Sequence, residues 1–259
     1  MMKGVRQRTL QDLLRQHGHM TVKQLAAHLN VSEATIRRDL QELAGASGLE
    51  RMHGGVTLSD DNEPPVIARR RENAAAKKAL ARRAREEVYP GATIFIGSGS
   101  TMSFLAECLL DGRELTVITN AQNIALELAV APGVSIVMTG GAFRKGEMSL
   151  IGPLAENTLE QTPFEIAFMS VQGISADSGL SNAFAPEAGT DRAVVGLAPR
   201  LVVVAEAYKL GRVAPISVGP ATSADLLITD AESDNEELRR LRTLGVPVAH
   251  PIPRIAAAG

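Results

Sequence analysis

Two sets of residues in this 259-residue chain combine types and spacings that suit chemistry. The first is "GSGST" at 97–101, where Ser98, Gly99, Ser100 and Thr101 link an apolar β-branched run to a helical pattern. Small residues let backbone N–H groups crowd an anion, hydroxyls add donors, and a helix start supplies positive potential. Similar breaks follow other apolar runs: Thr119–Asn120, "TGG" at 139–141, "VQG" at 171–173 and "EAYKLGR" at 206–212. One Gly-rich break is an ordinary turn; several at the strand ends of one sheet suit a pocket for a phosphorylated small molecule. The second set lies in "NVSEATIRRDLQEL" at 30–43, where Thr35, Arg37, Arg38 and Gln41 share one short segment. Guanidinium groups and amides bond base edges or phosphates, and hydroxyls reach backbone oxygens.

The elements that must position the second set are readable from spacing. Leu10, Leu13 and Leu14 fall at helical spacing within residues 8–17, which end at "HGH". A second helix opens at Thr21 with Gln24 three residues on, a capping-box pattern, and buries Val22, Leu25, Ala26 and Leu29. Ser32 caps a third helix, whose Ile36, Leu40 and Leu43 form the buried stripe. That stripe turns Ala34, Arg38 and Gln41 outward, with Thr35 and Arg37 on the flanks. The stretch "GASGLERMHGGVTL" then reads as a turn, a strand at 49–52, a tight Gly54–Gly55 turn and a strand at 56–58. Three helices and a two-stranded hairpin make a winged helix-turn-helix. Two arginines on an exposed helix can be a mere solvated face, but here turn, caps, buried spacing and wing agree on DNA. Arg51 and His53 on the hairpin reach an adjacent groove or phosphates. Thr21, Ser32 and Glu33, at the two helix starts, complete the candidate DNA-facing set. Such modules work as dimers on paired half-sites.

The distribution of charge fits this division. Residues 1–58 hold 8 Lys/Arg against 5 Asp/Glu, while the whole chain is at −2. A basic head on an acidic body suits a nucleic-acid module attached to something else. Residues 60–65 are polar and proline-bearing, hence a linker, and 66–88 read as one helix whose basic run is a solvated face. From Ala92, β-branched runs at "ATIFIG", "LTVIT", "VSIVMT", "EIAFMS", "LVVVAE" and "LLIT" alternate with helical segments at 101–111, 121–130, 153–161 and 235–244. That is the rhythm of a mainly parallel sheet covered on both faces, with ligands at the carboxyl ends of its strands. The domains are therefore 1–58, a linker and connecting helix at 59–90, and an α/β effector-sensing and oligomerisation domain at 91–259. The lone Cys108 lies among leucines and reads as a buried filler in a reducing cytoplasm. There is no leader and no membrane-length apolar run, and the sequence has no zinc spacing or nucleotide-binding P-loop.

Nearly the whole chain resembles the DeoR-type bacterial transcriptional regulators. The resemblance is carried by "TVKQLAAHLNVSEATIRRDLQEL", "LERMHGGV", "GSGST", "VITNAQNIALEL", "MTGGAFR", "LIGPLAE" and the lysine of "YKLGR". It implies a body resembling ribose-5-phosphate isomerase that binds a phosphorylated sugar or polyol and thereby alters affinity for double-stranded operator DNA. It further implies a homodimer or tetramer acting as a repressor, with no catalytic residues, metal or other cofactor. By the same resemblance Ser98, Gly99, Ser100 and Thr101 face the phosphate or sugar hydroxyls, and Thr119, Asn120, Gly140 and Gly141 line the pocket. Gln172, Glu206 and Lys209 reach it from two further strand ends. The chain departs from the family at Gly97 and Gln172, where aspartates are common, and at Glu206, which lengthens an aspartate. Two alternatives stay open at this point. The body is a working sugar-phosphate isomerase with Glu206 as general base beside Lys209, or a DNA-binding scaffold without a small ligand.

Overall fold

The computed structural model describes residues 3–17, 19–43, 49–52, 55–58, 64–111 and 114–251. Near the N-terminus lie α1 (Lys3–His17), β1 (His19–Met20), α2 (Val22–Leu29), α3 (Glu33–Leu43), β2 (Leu49–Met52) and β3 (Gly55–Leu58). The capping box at Thr21 is made on both sides: the Gln24 amide donates to Thr21 Oγ1 at 3.1 Å, and the Thr21 amide donates to Gln24 Oε1 at 2.8 Å. Asn30 ends α2 in the left-handed conformation at φ +51°, a conformation Asn tolerates well. The three helices close on Leu10, Leu25, Ala26, Leu29, Ile36 and Leu40. Sequence spacing missed two features. Asp39, inside the α3 stripe, is buried and takes a forked ion pair from Arg6 of α1 at 2.5 and 3.0 Å. The wing sheet also has three strands, because β1 pairs antiparallel with β3 in the order β1-β3-β2. The Gly54 turn and the 59–63 segment lie outside the described residues.

The basic stretch that follows is two helices, α4 (Val66–Arg69) and α5 (Ala74–Arg85), broken at Asn73 with φ +49°. It is a solvated face only in part: Arg71, Lys78 and Arg82 are exposed, and the other basic residues are engaged. Arg69 pairs with Glu147, Arg70 with Glu107, and Arg83 with Glu87. Arg85 pairs with Asp111 at 2.5 Å, and Lys77 is buried with its ammonium donating to the Arg69 carbonyl at 2.6 Å. Glu107, Asp111 and Glu147 lie far off in sequence, so a local charge count cannot see the pairing.

The body continues as β4 (Thr93–Ile96), α6 (Ser100–Glu107), β5 (Leu115–Thr119), α7 (Gln122–Leu128), β6 (Val134–Met138), β7 (Ala142–Arg144) and β8 (Ser149–Ile151). After them come α8 (Pro153–Gln161), β9 (Ile166–Met169), β10 (Gly173–Ser175), β11 (Gly179–Asn182), α9 (Ala185–Leu197) and β12 (Leu201–Val204). A 3-10 turn (Ala207–Lys209), β13 (Ile216–Gly219), β14 (Leu226–Ile228), α10 (Glu236–Thr243) and β15 (Val248–Ala249) complete it. Seven strands form one parallel sheet in the order β15-β14-β12-β9-β4-β5-β6. Alternate side chains feed opposite faces. Ile94 and Ile96 enter a core with α5, α6 and α7, and Phe95 enters the other with α9 and α10. All six anticipated strands belong to this sheet, and all four anticipated helices are present. The antiparallel β10-β11-β13 sheet, the β7-β8 hairpin and α9 are additions to the sequence reading. No described helix is long and apolar enough to cross a membrane.

Gly141 shows how closely the hairpin is packed. Its φ is +122°, and a Cβ there would lie 2.7 Å from the Ile151 carbonyl oxygen and 3.0 Å from the Ile151 nitrogen. Backbone strain and the clash add, so Gly141→Ala should lose about 2–5 kcal/mol of stability in urea unfolding. An unchanged midpoint and slope would disprove this close approach.

Candidate functional site

The DNA-facing candidates divide by exposure. Ser32, Glu33, Ala34, Arg37, Arg38 and Gln41 are exposed on α3 and its start, while Thr35 is half-buried. Ser32 caps the helix, accepting from the Thr35 amide at 3.2 Å, and its hydroxyl lies 2.8 Å from that of Thr35. Arg37 pairs with Glu33 one turn back at 3.3 Å. The exposed row Ala34, Arg38 and Gln41 is thus the free face of a helix whose other side is packed. Thr21 is half-buried with its hydroxyl in the capping box, so its first role is to shape α2. Arg51 belongs to β2, opposite Val56, with its side chain outside the described part, and His53 lies outside the described residues altogether.

The second site follows from strand order. The chain enters the body's sheet at β4, winds outward through β5 and β6, then returns to β9 on the other side of β4. Crossovers leave β4 and β9 in opposite directions, so a crevice opens beyond their carboxyl ends. The cleft there is lined by Gly97, Ser98, Gly99 and Ser100 after β4 and by Met169, Ser170, Val171 and Gln172 after β9. Lys209 reaches in from the turn after β12 and donates to Ser170 Oγ at 2.9 Å. Gly99 takes φ +121° to swing the chain into α6, and its carbonyl accepts from the Ser103 amide at 3.1 Å.

Other candidates do not line the cleft. Thr101 is buried within the first turn of α6. Thr119 is fully buried, donating to the Ile96 carbonyl at 2.7 Å and accepting from the Ala121 amide at 3.0 Å, so it ties the ends of β4 and β5. Asn120 donates to the Leu150 carbonyl at 3.3 Å, which holds the β8 strand, while its Oδ1 is buried without a partner. Gly140 and Gly141 make the turn into β7. Glu206 is buried with Oε1 unpartnered, and its charge acts on Lys77, whose ammonium burial pushes down and Glu206 pulls back up. Lys209 lines the cleft and Glu206 does not. At Gly97 a Cβ would meet only ordinary contacts at 3.5–3.6 Å, so sterics do not explain the missing side chain.

The opposite wall was not anticipated. Asn182, Glu187 and Asp191 line it from β11 and α9, and Arg69 and Glu147 line it from α4 and the β7-β8 hairpin. Glu187 accepts from Ser98 Oγ at 3.0 Å and pairs with the buried Arg144, whose guanidinium stacks 4.7 Å from the Phe184 ring. The sequence signals were faint: "FAPEAGTD" carries a Pro and an acid in a helix's first turn, and Arg69 is hidden in a basic run. Cys108 is half-buried and its thiol is pushed up by burial, which keeps it protonated. Among the described residues no His, Cys, Asp and Glu cluster can hold a metal.

Asp191 accepts from Asn182 Nδ2 at 2.7 Å. Burial first, then the Glu187 charge, pushes its carboxyl up to about 8. In an unfolded chain such a carboxyl titrates near pH 4 (about 3.9). Between about pH 4 and 8 the folded state therefore holds more protons, and this group's contribution falls as pH rises. Asp191→Asn removes that cost. The variant should be more stable than the parent at about pH 8 by on the order of 1–3 kcal/mol, with the gap closing toward about pH 5. Paired melts across this range check it; a gap independent of pH would show an ordinary carboxyl.

Residues 6–62 match the model of the DeoR-like helix-turn-helix domain, and residues 72–231 match that of the DeoR C-terminal sensor domain. The chain is 31% identical over 256 residues to the HTH-type transcriptional regulator GlpR of Haloferax volcanii, covering 98% of this chain and 100% of that protein. It is 31% identical over 222 residues to the glycerol-3-phosphate regulon repressor of Escherichia coli, covering 85% and 88%. Among solved structures, ribose 5-phosphate isomerase A from Methanocaldococcus jannaschii aligns with a TM-score of 0.40 and 17% identity over 53% of this chain and 55% of that one. With both domains matched and relatives aligned along almost its full length, the chain belongs to the DeoR family of transcriptional regulators.

Proposed function

We propose that this protein is a repressor that reads operator DNA through α3 and releases it when a phosphorylated sugar or polyol occupies the cleft at the sheet's switch point. The observation that carries the reading is the convergence of the Ser98–Ser100 turn and Lys209, distant in sequence, on one cleft lined by polar side chains. Backbone N–H groups, the Ser100 hydroxyl and the Lys209 ammonium suit a phosphate. Gln172, Asn182 and Asp191 suit hydroxyls farther along, so carboxyl groups from α9 stand in for those missing at the strand ends. The family membership and a relative named for a glycerol-3-phosphate regulon support this ligand class.

A binding protein fits better than an isomerase. A general base must stand within hydrogen-bond reach of the carbon-bound proton it removes. Glu206 is buried and does not line the cleft, whereas Lys209 does. We take residues 1–58 as the DNA-binding head, 59–90 as linker and connecting helices, and 91–259 as the sensing and oligomerising body of a cytoplasmic protein. Self-association is supported by the apolar groove of Leu126, Met138, Phe143 and Leu150 beside the edge strand β6, since paired heads need a shared body.

Arg38→Ala should weaken operator binding and leave the melting temperature almost unchanged. A lost phosphate contact flattens the salt slope by about 1 unit, and a lost base contact costs about 1–3 kcal/mol at one base pair. Operator affinity equal to the parent's at every salt concentration would remove α3 from the DNA. For the cleft, Ser100→Ala combined with Lys209→Ala should abolish the response to phosphorylated sugars and polyols while preserving ligand-free operator binding. A thermal-shift panel of such compounds finds the responsive one, and a normal response in the double variant would place the pocket elsewhere.

A further inference from the structure

The first helix after the DNA-binding head, α4, contributes Arg69 to the wall of the cleft. Arg69 is the last residue of α4, and its guanidinium is shared: Nε donates to the Pro64 carbonyl at 2.9 Å, and Nη2 pairs with Glu147. Both Arg69 and Glu147 line the cleft opposite Ser100 and Lys209. The pairing is reinforced along the backbone, where the Val66 amide donates to the Gly146 carbonyl at 2.7 Å and Val66 is buried. Lys77 of α5 then donates to the Arg69 carbonyl at 2.6 Å. One guanidinium thus joins the segment entering the body, the β7-β8 turn and the cleft.

Charge makes Arg69 the decisive member. Lys209 and Arg69 are the cations lining the cleft, and Glu147, Glu187 and Asp191 are the acids. Glu187 is matched by Arg144, Asp191 accepts from Asn182, and Glu147 is matched by Arg69 itself, so an anion that engages Arg69 competes with Glu147. An Arg fork binds phosphate in the geometry it uses for a carboxylate. Resting on the cleft reading above, we propose that Arg69 is itself an effector-binding residue: the phosphate of the effector takes its guanidinium from Glu147. The ligand is then in contact with the first helix after the head, and its binding changes the tether of that helix to the β7-β8 turn. A phosphomonoester carries the charge and oxygens to engage Lys209 and Arg69 together; a neutral sugar lacks both.

The test measures binding of inorganic phosphate and of glycerol 3-phosphate to the full chain by calorimetry. The variants are Arg69→Gln, Arg69→Lys, Glu147→Gln and the Ser100→Ala, Lys209→Ala double. Glu147→Gln keeps an acceptor for Arg69 but removes the competing charge, so phosphate affinity should rise several-fold, up to about tenfold. Arg69→Gln should lower it about tenfold or more, and Arg69→Lys should recover only part, because an ammonium cannot fork. In Arg69→Gln, ligand should no longer release operator DNA at concentrations that release it from the parent. If Arg69→Gln melts too early to assay, the rise in Glu147→Gln decides alone. Parent-like affinities in the Arg69 and Glu147 variants, with binding lost in the double variant, would leave the cleft standing and overturn the role of Arg69. Absence of saturable binding of both probes by the parent would overturn the cleft reading, and this inference with it.

Discussion

A parallel strand cannot follow its neighbour without a crossover, and that constraint governs where this molecule can hold a ligand. Because the sheet begins at an interior strand, the helices after β4 and β9 leave toward opposite sides. Their starts cannot cover the ground between the two strand ends, so a crevice is a consequence of strand order and needs no special residue. What special residues do is furnish it. Gly99, at φ +121°, turns the chain sharply into α6, and Ser170 stands where Lys209 can reach its hydroxyl. The 3-10 turn after β12 matters for the same reason. By closing at once from Glu206 to Lys209, it brings the Lys209 ammonium into the cleft.

Charge, more than shape, then organises the site. Arg144 and Glu187 are buried together, and such a pair contributes little net stability but is costly to break from one side. Its effect is to fix the β7-β8 hairpin against α9 and to hold Ser98 by a hydrogen bond to the same carboxylate. Asp191 sits next to this pair, and burial and the Glu187 charge push its carboxyl up, which favours the protonated form. A neutral Asp191 can donate to an oxygen and does not repel an anion. The acid-lined wall is therefore less hostile to a phosphate ester than a count of carboxylates suggests.

The fold was legible wherever the pattern was local. Short β-branched runs marked the strands of the large sheet, and Thr21 with Gln24 marked the start of α2. The cleft was half legible: Ser98, Gly99, Ser100, Gln172 and Lys209 stand in it, each beside a strand end. Thr119, Asn120, Gly140 and Gly141 stand at strand ends too, yet serve to bind backbone to backbone. A polar strand end announces a position, and only the third dimension says which way its side chain turns. The wall formed by Arg69, Glu147, Glu187 and Asp191 was illegible because its logic is pairing between residues remote in sequence. A basic run counted by itself looks like a surface, and here Arg69, Arg70 and Arg85 are matched to Glu147, Glu107 and Asp111 of the body.

That matching bears on how a ligand can act at a distance. A ligand changes DNA binding only if it prefers one arrangement of the molecule, since equal affinity for two states shifts neither. Useful regulation needs a coupling of about 1–3 kcal/mol. Exchanging one partly buried charge-assisted contact for another involves energies of that size, about 1.5–3 kcal/mol for a hydrogen bond to a charged group. A long chain of moving parts is unnecessary. The segment carrying the signal enters the body at Pro64, six residues after the last wing residue Leu58, and is held there by Arg69 and by the Val66 amide. Six residues span at most about 20 Å, so the anchoring of α4 limits where each head can lie. A switch at that anchor acts on where the head can lie, and binding to operator half-sites at fixed spacing is sensitive to just that geometry.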